Sequence, residues 1–146
     1  MSLTDPITNA DTLLRTALTA ALSPVPGTFD GAPALFFRLP VPGLAPALLS
    51  GSLTGALACR FLAPQERGAL GAAGVTVVVT LTAYASAQGD AEALRDAAAQ
   101  ALPTLSLPAG YQLKELRFTG SPTVVSGDPG LSAAAAEYRI RIQRTP

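Results

Sequence analysis

The chain has 146 residues, ten Lys+Arg against ten Asp+Glu, and no histidine. Hydrophobic residues make up 49% and charged residues 14%, against a usual charged share of about 25%. That balance argues against a disordered chain and against a dedicated nucleic-acid binder, which carries a basic excess. The missing histidine removes the Ser-His-Asp and Cys-His routes to an activated nucleophile, and the commonest metal ligand.

One domain over 1–146 is expected at this length, with 1–8 as an N-terminal extension and 40–52 as an apolar arm. A domain of this size buries roughly 70% of its unfolded surface and needs no staples. So little charge over so much apolar surface suggests that part of that surface meets something other than water. The lone cysteine, Cys59, rules out an intrachain disulfide. Acid and proline at Asp5 and Pro6 stand where a secretory signal would carry Lys or Arg. The uncharged window between Arg38 and Arg60 is broken by Pro40, Pro42, Pro46 and Gly43, so it is no membrane helix. The reading is a soluble, cytoplasmic chain.

In chain order, Leu13, Leu14, Ala17, Leu18, Ala21 and Leu22 recur at helical spacing. The spacing predicts a helix capped by Thr8 or Asn9 and ended by Pro24 to Gly27. Leu35 to Leu39 reads as a short strand stopped by Pro40. The Pro-, Gly- and Leu-rich arm 40–52 allows one helical turn at Ala45 to Leu49. Leu53, Leu57, Cys59 and Phe61 alternate into a strand, and Gln65 to Gly74 reads as a flexible connection. Val75, Val77, Val79, Leu81 and Ala83 line one face of the clearest strand. Asp90 caps a helix whose stripe is Ala91, Leu94, Ala98, Ala101 and Leu102. Tyr111 to Thr119 is a strand with a blurred pattern, Ser126 to Gly130 is a turn, and Tyr138, Ile140 and Ile142 mark the last strand. The order α-β-β-β-α-β-β predicts an α+β fold: one mixed or antiparallel sheet of four to five strands with two helices on one face.

No chemistry stands out. Gly68, Gly71 and Gly74 have neither phosphate-loop spacing nor the strand-to-helix setting it needs. Cys59 sits on an apolar strand face, without the positive surroundings that activate a thiol. The carboxylates are scattered. Neither a catalytic, a metal nor a cofactor site is expected. Two features invite contact with another chain. Glu137, Arg139, Arg141 and Gln143 form a charged stripe, extended by Lys114, Glu115 and Arg117, that reads either as solvated sheet or as an Arg-bearing interface. Leu44, Leu48 and Leu49 in the arm either cap the open end of the core or meet a partner.

With these elements in place, the chain resembles the tail-terminator (tail-completion, minor tail) proteins of long-tailed bacteriophages and prophages. The likeness lies in the opening helix from Asp11 to Leu22, and in the passage from the strand Val77 to Leu81 into the helix from Asp90. It also lies in the ending, Leu116 to Pro122 followed by Tyr138 to Ile142, and it spans roughly 9–144. The resemblance implies a structural homo-oligomer, commonly a hexameric ring. Such a ring stops the tail tube, meets the tail tube protein and a head-completion or connector protein, and resides in the virion tail and in host cytoplasm during assembly. It implies no cofactor, no membrane and no sequence-specific nucleic-acid contact. The two faces of the ring contact would then include Leu44, Leu48 and Leu49 on one side and Glu137, Arg139, Arg141 and Arg117 on the other. The alternatives are a head–tail connector and a small intracellular ligand-binding domain, with Tyr84, Tyr111 and Phe118 lining a pocket between sheet and helices.

Overall fold

The computed structural model describes residues 7, 9–38, 41–62, 65–69, 72–124 and 129–145. In chain order these form α1 (Ala10–Leu22), β1 (Thr28–Phe29), β2 (Ala32–Pro33), β3 (Leu35–Phe36), α2 (Leu44–Ser50), β4 (Ala56–Phe61), β5 (Gln65–Ala69), β6 (Ala72–Ala85), α3 (Gln88–Ala101), β7 (Tyr111–Gly120) and β8 (Ser132–Arg144). The fold is α+β.

The β-branched run predicted to be a strand forms the spine. β6 pairs antiparallel with β8 from Gly74↔Gln143 to Ala85↔Ser132. β4 flanks β6, and β7 flanks β8, both antiparallel. β3 adds a short parallel pairing to β4 through Leu35↔Leu57 and Phe36↔Ala58, which makes the sheet mixed, in the order β3-β4-β6-β8-β7.

Side chains alternate across a strand, so the register places Leu57, Leu81 and Ala136 on one face, with Val77 and Ile140 beside them. This face packs against Leu14 and Leu18 of α1, Ala98 of α3 and Leu102 just after it in one core. Branched residues buried on both sides of the seam explain why the central strand was the easiest element to read.

Several boundaries differ from the pattern. Within the connection expected at 65–74, residues 65–69 and 72–74 are strand: β5 pairs antiparallel with β6 through Gln65↔Thr76 to Ala69↔Ala72, and Leu70 and Gly71 lie outside the described residues. β5 runs Gln-Glu-Arg-Gly-Ala with no apolar alternation to read, so the pairing comes from the ladder that β6 already holds. β8 begins six residues ahead of Tyr138, because Ala133 to Ala136 are carried by β6 in the same way. The strand at 35–39 shrinks to Leu35–Phe36, and its end at Leu39 lies outside the described residues. An unanticipated two-residue hairpin joins β1 to β2 through Asp30 and Gly31, both at positive φ, the preference of an Asp-Gly turn.

Asp90 lies inside the first turn of α3 rather than at its cap, which is Ala87. Its carboxylate there complements the helix dipole. Asn9 is the N-cap of α1 without a side-chain cap bond; Thr8, and Ser126 to Asp128 of the expected turn, lie outside the described residues. The blurred pattern of β7 has a geometric cause: register shifts between Leu113 and Glu115 and between Phe118 and Gly120. Each bulge inserts one residue, so Leu113, Leu116 and Phe118 keep the helix side and Glu115 and Arg117 the other.

Candidate assembly surfaces

The second face of the sheet has two halves. Its upper half, around Ala56 and Tyr84, is roofed by the arm. Gly43 and Gly51, both left-handed, bound α2, which folds back so that Leu44 and Leu48 join Ala34, Leu53 and Ala56 in a second core. Leu48 is 1% exposed, whereas Leu49 on the other side of the helix is 50% exposed. Of the three arm leucines, therefore, Leu44 and Leu48 fill the chain's own interior, and Leu49 alone is offered outward.

No helix among the described residues covers the lower half, which carries the charged stripe. Arg139 lies directly opposite Arg117 on β7, a like-charge pairing that stabilises neither strand. Its guanidinium instead reaches diagonally to Glu115, with Nε 3.7 Å from Oε1. Both groups are about a third exposed, so the pair contributes little to stability. Arg141 lies flat: its Nη1 donates to the Thr76 hydroxyl over 3.3 Å. It rests across Gly74, where an added Cβ would meet Nη2 at 2.5 Å. The Thr119 hydroxyl donates to the Glu137 carboxylate at 3.0 Å. The stripe is thus a contiguous patch on β7 and β8, beside Val78 of β6 and Arg60 of β4 in register. Arg60 and Arg117 carry no ion pair among the described residues.

On the β3–β4 side of this face a cavity of about 450 Å³ is lined by Arg38, Arg60, Leu62, Thr80, Thr82 and Tyr84, among others. On the helix side of the opposite edge, a cavity of about 360 Å³ lies between α3 and β7. Phe118 stands at it, 56% exposed, its ring edge-on to Tyr138 at 5.7 Å, with Arg95 and Asp96 of α3 on its border. Burial pushes the Tyr138 hydroxyl above its ordinary pKa; Arg95 opposes that shift and Asp96 adds to it.

The pocket expected to gather Tyr84, Tyr111 and Phe118 does not form. Tyr84 belongs to the second core. Tyr111, at the other end of β7 from Phe118, stacks under the Arg144 guanidinium at 5.4 Å. Bulges and sheet sidedness separate three aromatics that composition alone could group. Cys59 is buried in the main core, which pushes its thiol up to about 12. It is a small core hydrophobe. Sequence reasoning missed the cavity by Arg38, Arg60 and Leu62, since β4, β6, Arg38 and Val124 meet there only through tertiary structure. No helix among the described residues is long and apolar enough to cross a membrane.

A family model described as "Tail completion protein gp17" matches residues 16–143. A chain from a structure described as "Virion of native gene transfer agent (GTA) particle" has the same fold, with a TM-score of 0.65 at 15% identity over 94% of this chain and 99% of that one. Curated protein sequences give no match.

Proposed function

The chain belongs to the tail completion protein gp17 family, a phage-type tail structural protein, and from that premise we propose that it assembles into a ring that caps the tail tube and joins it to a head-completion protein. The observation that carries this reading is the pairing of two unlike surfaces on opposite sides of one subunit. One is a bare sheet face bearing Arg60, Arg117, Arg139 and Arg141; the other is a helix-side edge bearing the exposed Phe118. Unlike surfaces meet head to tail, and head-to-tail contact closes a ring when the rotation permits. The stripe 137–143 and Leu49 supply further contacts to the neighbouring subunit or to the tube and connector proteins. The reading is structural rather than catalytic: the single thiol is sealed in the core and held neutral.

Light scattering over a concentration series, with negative-stain images of the largest species and a parallel series with purified tail tube subunit, tests the proposal. Closed rings of uniform diameter, alone or seated on tube ends, are expected. A mass that stays monomeric in both series would overturn the ring.

A further inference from the structure

Resting on the ring reading, we propose that the subunit contact is a knob and socket: Phe118 of one copy seats in the cavity bordered by Arg38, Arg60 and Leu62 of the next. Two observations converge on that occupant. Phe118 is the most exposed of the large hydrophobic residues among the described ones, at 56%, although its strand neighbour Tyr138 is buried and in ring contact with it. α3 packs over β6 and β8 and leaves the Phe118 end of edge strand β7 uncovered, so the ring projects where a neighbour would come. Aromatic side chains in such positions supply most of an interface's energy when a pocket receives them.

The socket has the matching chemistry. Leu62, 45% exposed, gives the cavity an apolar lip, and its volume of about 450 Å³ is ample for one aromatic side chain. Arg38 and Arg60 stand at its border without an ion pair among the described residues. Beside the knob, Asp96 holds its carboxylate on Arg95 at 3.2 Å while remaining 65% exposed. A neighbour's guanidinium can therefore reach it. Glu92, on the same helix, is also exposed. Acid beside the knob and arginine beside the socket are complementary across a head-to-tail contact, but would repel if two sockets met. The sheet order places the knob on the β7 edge and the socket on the β3–β4 side, so one copy cannot satisfy itself and each copy engages two others.

The test uses the full-length chain. In a Cys59→Ala background that keeps Phe118, Ser121→Cys beside the knob with Leu62→Cys at the socket lip is oxidised at high concentration and resolved without reductant. The expected result is a ladder of linked subunits ending in one closed species, absent when either cysteine is introduced alone. Only monomer, or a linked species no larger than the dimer that a single-cysteine chain can form, overturns the contact. Separately, Phe118→Ser and Arg60→Glu should each weaken assembly tenfold or more by light scattering, and Asp96→Arg should restore part of the loss in the Arg60→Glu chain. Wild-type rings that persist unchanged in Phe118→Ser overturn the knob and leave the ring standing. A wild-type chain that never assembles, even with tube subunit, overturns the ring and the contact with it. Binding of tube subunit abolished by Phe118→Ser while rings remain intact would give the knob to the tube and also overturn the contact.

Discussion

The two faces of the sheet share a backbone and differ in what covers them. On the helix side, Val75, Val77, Val79, Leu81, Ile140 and Ile142 are all buried at 2% exposure or less. On the other side, the same strands carry Thr76, Val78, Thr80, Arg139 and Arg141; α2 covers the end of this face near Ala56 and Tyr84, and no helix among the described residues covers the rest. The covered face holds the fold together by removing branched apolar area from water. The bare face is where an added interface costs the fold least, because its side chains are tied to one another rather than to the core. Most of the buried branched side chains therefore lie on the helix side of the sheet, and the charged stripe lies on the other.

Breaking the second core should have the largest effect. Leu48→Asp would bury a carboxylate among Ala34, Leu53 and Ala56, and should cost about 4 kcal/mol or more. Leu49→Asp, one residue on, should stay within about 0.5 kcal/mol. Urea unfolding of the two variants measures the difference, and equal losses would mean that α2 is not seated as described. The two faces separate nearly as sharply in a neighbouring pair. Ile140→Ala should cost about 2–5 kcal/mol, and Arg139→Ala about 1 kcal/mol or less because its ion pair is part-exposed. Thermal melts of both read the contrast.

The pH dependence of the core is smaller near neutrality and has a definite sign. Burial raises the Cys59 thiol from 9.0 to about 12, so the folded chain binds more protons than the unfolded chain between those values. The contribution is fully present below pH 9 and is lost as pH rises towards 12. Urea midpoints of the wild type should fall relative to those of Cys59→Ala as pH passes 9, and the folded thiol should resist a disulfide reagent at pH 8. The smallest effect sharpens the bare face. Gly74→Ala places a methyl against the Arg141 guanidinium and should lift it off Thr76, at about 1 kcal/mol or less. A crystal structure with Arg141 unmoved would refute that account of the glycine.

Much of the covered face was legible from alternation alone. Period-two Val and Ile runs and period-three-to-four Leu and Ala stripes state which side of each element is apolar, and the observed sheet used those sides. The candidate assembly surfaces were legible only in part. The stripe at Glu137, Arg139 and Arg141 is local to one strand, and could be read. Phe118 and Leu62 gained meaning only from the bulges of β7 and from a cavity that β4, β6, Arg38 and Val124 line together. The arm misled because a leucine on a short helix is core or surface according to its azimuth, and the turn that brings Leu44 and Leu48 inward depends on Gly43 and Gly51 at positive φ.

The sequence by itself determined the α+β class, the two helices on one face and the central strand, because side-chain periodicity is a local consequence of backbone geometry. Tertiary structure decided the rest. It chose which Gly/Ala segments became strand, since those residues pair only when a neighbouring ladder holds them. It also turned two leucines of the arm inward and one outward, and set Phe118 and Leu62 at opposite sides of the sheet. Such choices depend on register between strands far apart in the chain, and no local pattern encodes a register.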